Sequence, residues 1–307
     1  MSLHRSATMV AVVLAFIVVV VGAYVRLSDA GLGCPDWPFC YGKPVPAEIA
    51  DHHALAKAWK EMGHRYLAGT LVSLTIALAI AAWIVRRGRA LAASLVLVIL
   101  AQAALGAWTV TLLLKPAIVT AHLIGGMTTL SLLAWLALAQ WPHKPAPQVR
   151  SLRLTAAVAL AAVAIQIVLG GWVSANYAAL ACPDLPRCPG AMDFANAFHI
   201  VRELGQTADG QLLSFGALRA IHWTHRLFAN VALLTVLYAA ARAWRVERRL
   251  AGLLAALALL QFSLGVANVA FSLPLPLAAA HNAGAALLLV TLVVLNFFAF
   301  RGLRPSS

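Results

Sequence analysis

Charge is scarce in this sequence. Asp, Glu, Lys and Arg make up 11% of the 307 residues, against 62% hydrophobic residues and a mean hydropathy of +0.86. That balance excludes an ordinary soluble domain. Acids are scarcer still, 10 against 23 Lys and Arg. The formal charge of +13 does not imply a nucleic-acid partner, because the bases fall at the ends of apolar runs and not on one soluble face. No Gly-x-Gly-x-x-Gly follows a strand pattern, so nothing indicates a flavin or nicotinamide site. The four cysteines contain no Cys-x-x-Cys, which argues against a thiol oxidoreductase and against a zinc knuckle. The first apolar run is longer than the apolar core of a signal peptide and lacks its small-residue cleavage pattern, so it counts as a span.

What the sequence has is apolar length. A spanning helix needs roughly 20 apolar residues, and eight runs qualify, at about 6–27, 65–85, 90–113, 117–140, 153–176, 220–242, 250–273 and 276–300. We expect an all-α integral membrane protein of eight transmembrane helices. With both termini in the cytoplasm, the inside segments hold Arg5, Arg86, Arg87, Arg89, Lys144, Arg150, Arg153, Arg242, Arg245, Arg248, Arg249, Arg301 and Arg304 against one acid, Glu247. The outer side and helix mouths carry the remaining 10 bases and 9 acids, as the positive-inside rule requires. Two long loops, about 28–64 and 177–219, then face outward. All four cysteines lie in them, and pairs Cys34/Cys40 and Cys182/Cys188 are expected to be disulfides in an oxidising compartment.

The chain repeats itself. CPDWPFC at 34–40 recurs as CPDLPRC at 182–188, GHRYLAG at 63 as THRLFAN at 224, QAALGAWTV at 102 as QFSLGVANV at 261, and the segment around His122 recurs around His281. Matches in one order at near-constant spacing imply two tandem four-helix repeats, 1–143 and 144–307, joined by the basic, Pro-containing segment WPHKPAPQ at 141–148. An even helix number per repeat makes them parallel, pseudo-symmetric bundles.

Duplication carries histidine to four places: His64, His122, His225 and His281, on the second, fourth, sixth and eighth spans. All four enter from outside and share a depth in the outer leaflet, and the second and fourth helices of each repeat can face each other across its core. Such a pair suits bis-histidine heme ligation. One intramembrane histidine is more simply an interhelical hydrogen bond, but the same residue on both partner helices of both repeats favours the heme. Arg65 and Arg226 follow two of the histidines and either meet heme propionates or snorkel to the interface. His4, His52, His53, His143 and His199 read as solvated. The repeats differ where Glu61 stands opposite His222, each three residues before a histidine. His222 is a neighbour of the heme site or a spare ligand. Glu61 either handles protons and developing charge or merely complements a helix N-terminus.

Together GLGCPDWPFC, EMGHR, TAHLIGG, ACPDLPRC, IHWTHR and AAHNAG resemble the heme A synthases over nearly the whole chain. The resemblance implies an oxidoreductase that converts the methyl group of heme O into the formyl group of heme A. It implies a heme B cofactor on His225 and His281 in the second repeat, and the substrate heme O between His64 and His122 in the first. Glu61 would be the carboxylate associated with the reaction, and both loop disulfides are features of many members. It also implies a multi-pass protein of the inner (plasma) membrane, with heme O synthase and oxidase assembly factors as candidate partners. The rival in another class is a bis-heme cytochrome b-like electron-transfer or heme-carrier protein. A membrane transporter ranks below it, because the polar groups lie at helix ends and not at the midplane.

Overall fold

The computed structural model describes residues 3–46, 51–86 and 88–305. Arg87, one of the bases assigned to the cytoplasm, lies outside the described residues. Among those described, eight helices are long and apolar enough to cross a membrane: α1 (Leu3–Leu27), α2 (His52–Ile84), α3 (Arg89–Thr111), α4 (Pro116–Gln140), α5 (Arg153–Ala175), α7 (Phe215–Ala243), α8 (Arg248–Ala270) and α9 (Leu275–Arg301). A short α6 (Phe194–Ala197) lies in the second long loop. Helices suit these runs because each satisfies its backbone hydrogen bonds within its own segment, which lipid demands.

The helix ends follow local chemistry. Pro116 and Pro276 sit in the first turns of α4 and α9, where a missing N–H costs nothing. Asp51 caps α2 by accepting from the His53 N–H, and Ser214 caps α7 by accepting from that of Ala217. Gly302 ends α9 at φ +66°, a left-handed position that glycine takes without strain. The caps of α2 and α7 correct the expected boundaries. Both helices begin before residues 65 and 220, α2 by a stretch from His52 whose lysines and Glu61 a hydropathy criterion cannot see, and α7 by a further turn from Phe215. His52 and His53 are exposed on the first of these extensions, as His199 is in the second loop.

The packed neighbours form two rings. In the first half α1 packs on α2, α2 on α3, α3 on α4 and α4 on α1; in the second, α5 on α7, α7 on α8, α8 on α9 and α9 on α5. The halves meet through α4 against α5 and α9, and α1 against α9. Lipid tails are as apolar as leucine, so burial supplies little drive and close approach of small residues matters more. Accordingly Ala11, Ala156, Ala159, Ala251, Ala286 and Ala299 are fully buried. Polar side chains add links of about 1 kcal/mol each, such as Asn296 Nδ2 to the Ala156 carbonyl (2.9 Å) and Gln140 Nε2 to Thr8 Oγ1 (3.0 Å).

Backbone conformation repeats with the sequence. Left-handed residues occur at Asp29 and Tyr177, and at the pairs Leu113–Leu114 and Ser272–Leu273, each at matched positions of the duplication. The segment joining the halves is anchored: β1 (His143–Pro145) pairs antiparallel with β2 (Leu303–Pro305). His143, expected to be solvated, is half-buried against Phe297 and Phe298 at centroid distances of 5.3 and 5.5 Å. Desolvation there lowers its imidazole below the usual range.

Candidate functional site

The four histidines sit on α2, α4, α7 and α9. In neither ring are the two histidine-bearing helices a closely packed pair, so they stand diagonally with the bundle core between them. His64 and His122 lie within electrostatic range of each other, as do His225 and His281.

Each imidazole lies against a glycine of the neighbouring helix. A Cβ built on Gly22 of α1 would stand 2.8 Å from His64 Cε1, and one on Gly106 of α3 would stand 3.3 Å from that of His122. In the second half Gly170 of α5 and Gly265 of α8 hold the same relation to His225 and His281, at 3.1 and 3.2 Å. Gly22 matches Gly170 and Gly106 matches Gly265 in the duplication. Only a residue without Cβ admits these rings without displacing them. Gly106 and Gly265 stand inside the repeated segments quoted above, yet a glycine in an apolar run signals little until the residue opposite is known.

Glutamines complete the surroundings. Gln102 Nε2 donates to the His122 carbonyl at 2.9 Å, Gln166 Nε2 lies 3.1 Å from His225 Nδ1, and Gln261 Nε2 lies 3.3 Å from His281 Nε2. Gln166 has no counterpart in the first half, where Val18 occupies the matching position. The Nδ1 atoms of His64, His122 and His281 are buried without a hydrogen-bond partner. An unpartnered buried nitrogen costs about 1–3 kcal/mol, and buried polar groups of that kind ask for a function. Among the described residues no group of three or more His, Cys, Asp or Glu could hold a metal ion. The donor set is two pairs of imidazoles on diagonal helices, which fits axial ligation of a porphyrin iron.

The cysteine loops fold down onto the starts of the histidine helices. Disulfides join Cys34 to Cys40 and Cys182 to Cys188. Gly33 lies so close to α2 that a Cβ there would stand 2.6 Å from the Lys57 carbonyl carbon. Arg65 Nη1 donates to the carbonyls of Asp36 (2.9 Å) and Phe39 (2.7 Å), and Arg226 Nη1 to that of Asp184 (2.7 Å). Arg226 also donates to the Cys182 carbonyl. Both guanidiniums thus fasten a disulfide loop to the helix that carries a histidine.

Glu61 and His222 occupy matched positions beside these arginines. Glu61 is 4% exposed; it accepts from Arg65 Nη2 at 2.5 Å and from the Cys34 N–H at 2.9 Å. It lies beyond the second turn of α2, not at a helix N-terminus, so complementing the end of the helix does not explain it. His222 is 5% exposed and accepts from Arg226 Nε at 3.2 Å. The first half thus has a carboxylate bonded to its disulfide loop where the second has an imidazole bonded to the arginine that anchors the other loop.

Arg202 escaped the sequence. It is 6% exposed in the second loop, donates to Asn176 Oδ1 (2.5 Å) and to the carbonyls of His199 (3.1 Å) and Gln206 (2.9 Å), and lies over Trp172. Burial lowers its pKa. It organises the loop that covers the second half.

Residues 5–293 match the COX15-CtaA family, described as cytochrome oxidase assembly protein. The chain is 41% identical to a heme A synthase of Shewanella oneidensis, over 94% of each chain. It is 31% identical to that of Caulobacter vibrioides, over 94% of this chain and 93% of the relative. Its identity to that of Halalkalibacterium halodurans is 30%, over 70% of this chain and 74% of the relative.

Proposed function

Given that this chain belongs to the heme A synthase family, we propose that its two halves divide the work, the first (1–143) binding heme O as substrate and the second (144–307) holding a resident heme B. The protein is a multi-pass membrane oxidoreductase acting on heme O. His225 and His281 would hold heme B, and His64 and His122 would receive heme O. The single observation that carries this reading is the set of four buried imidazoles, paired across diagonal helices and each seated on a glycine.

Through an alcohol and a hydrated aldehyde that loses water, the methyl group on the porphyrin rim and, formally, one water give the formyl group with release of four electrons and four protons, the electrons passing to an acceptor outside this chain. When bound, heme B supplies one-electron transfer. The chain's own residues orient the substrate and handle charge. Gly22 and Gly106 let the His64 and His122 rings approach, the anchored loop 34–40 covers the outer mouth, and Glu61 is the carboxylate placed to exchange protons during oxidation. Its counterpart His222 belongs to the half that only carries electrons, where no such acid is needed.

The halves are parallel, pseudo-symmetric bundles with both termini cytoplasmic and the heme sites toward the outer leaflet of the inner membrane. Support comes from residues that touch their own repeat mates, as happens on a pseudo-two-fold axis. Arg26 Nη2 donates to the Ser174 carbonyl at 2.7 Å, and Tyr177 Oη donates to Asp29 Oδ1 at 3.0 Å, both pairs related by the 148-residue offset of the cysteine motifs. The charge asymmetry of the loops supports the orientation. Heme O synthase, as the source of substrate, and oxidase assembly factors, as recipients of product, are the partners this activity implies.

The division of labour is tested by reading pigments in paired variants. His225→Met or His281→Met should remove or shift the low-spin heme B spectrum, while His64→Met or His122→Met should leave it and lose bound heme O or heme A. Unchanged heme B spectra in both second-half variants would overturn the assignment.

A further inference from the structure

The turn between α7 and α8 borders an open groove that the heme chemistry does not use. It is open to the surface, with a volume of about 480 Å³, and is lined by Leu237, Ala240, Ala241, Ala251 and Ala255 together with Trp244 and Arg245. That volume falls within the roughly 300–1,000 Å³ of small-ligand sites. Trp244 reaches across to α8, where a Cβ built on Gly252 would lie 3.7 Å from its ring. The walls are aliphatic, and one end is strongly cationic.

The cations here are unspent. Arg245, Arg248 and Arg249 are exposed and have no hydrogen-bond, ion-pair or ring partner among the described residues. Glu247, the acid of this turn, forms no ion pair with them either. The turn between α2 and α3 is basic as well, but there Arg89 Nη2 donates to the Trp83 carbonyl at 3.3 Å and its guanidinium lies over the Trp83 ring. At α7–α8 an apolar groove adjoins free guanidiniums.

We infer that this groove binds one anionic phospholipid, its phosphate on Arg245 with Arg248 and Arg249 nearby, and an acyl chain along Leu237, Ala241, Ala251 and Ala255. Charge complementarity selects the occupant: a basic pocket between helices at the cytoplasmic surface faces an anionic leaflet, and an interfacial tryptophan fits the headgroup level. The inference rests on the cytoplasmic placement of this turn, not on the heme chemistry.

The test uses the full-length protein with its hemes, purified in detergent and mixed with equal amounts of phosphatidylglycerol and phosphatidylcholine of identical chains. Native mass spectrometry should show one phosphatidylglycerol retained per chain in clear excess over phosphatidylcholine. Arg245→Gln should cut that preference by about fivefold, the weight of one basic residue near an anionic surface. Ala255→Leu, which fills the groove without changing charge, should weaken retention of both lipids. Equal retention of the two lipids, an unchanged preference in Arg245→Gln, or retention insensitive to Ala255→Leu would overturn the inference. So would inorganic phosphate displacing the lipid stoichiometrically, or a protein dimer that forms without lipid through this face. Heme content and heme A formation are read separately in the same samples, so failure of the lipid site and failure of the heme assignment are distinguishable.

Discussion

Gly22→Ala pits two effects of opposite sign against each other. Replacing a glycine inside a helix by alanine stabilises the helix by about 1 kcal/mol, so α1 gains. The new Cβ, however, would stand 2.8 Å from His64 Cε1, and ordinary contact begins at 3.4 Å; the ring must retreat by about 0.6 Å. Overpacking of this kind costs about 1–3 kcal/mol, which is roughly 5- to 150-fold in affinity. The cost falls on the heme, because an apo imidazole can turn aside while a ligating one cannot. Gly63→Ala is the matched control: Gly63 precedes His64 directly, yet a Cβ there meets nothing within 4 Å. The assay is expression of both variants in a host that makes heme O and lacks its own synthase, followed by quantification of the hemes that copurify. Gly22→Ala should retain heme B, lose heme O and heme A, and unfold at or above the wild-type temperature, while Gly63→Ala keeps all pigments. If the two variants hold the same hemes, the glycine does not seat the ligand and the geometric argument fails.

Glu61→Gln should lower heme A formation by about 10²- to 10⁴-fold if the carboxylate moves protons, with heme B retained. Because Glu61 also anchors the Cys34 loop, Arg65→Gln is measured beside it; equal losses in the two variants would assign Glu61 to loop anchoring alone. Peptide mapping of protein from an oxidising compartment should find Cys34 joined to Cys40 and Cys182 to Cys188, and four free thiols would contradict the loop structure. Arg202→Ala removes donors of charge-assisted bonds worth about 1.5–3 kcal/mol each, so thermal melting should fall by several degrees, and an unchanged melt would show that the second loop does not depend on it.

The eight spans were legible because apolar runs of bilayer length have few other uses, and the four histidines because duplication singles out what each repeat keeps. Helix starts were not legible. Hydropathy ends where Lys57, Lys60 and Glu61 begin, whereas α2 continues N-terminally to a cap at Asp51 that acts through one local hydrogen bond. The glycine seats were invisible for a different reason: Gly22 and Gly265 acquire meaning only from rings on other helices, and sequence spacing does not encode which faces meet. Arg202 was lost in a polar loop, where burial depends on the tertiary fold. For Arg65 and Arg226, the sequence left heme propionates and the interface open, and neither alternative included the loop carbonyls that these guanidiniums engage.

Conversion of heme O into heme A by this chain can be read directly. Its most direct test is expression in a host that produces heme O but has no heme A synthase, with extraction of pigments from the purified protein and mass analysis of each heme. The wild-type protein should carry heme B together with heme A or residual heme O. Heme B alone, with heme O abundant in the same membranes, would contradict it.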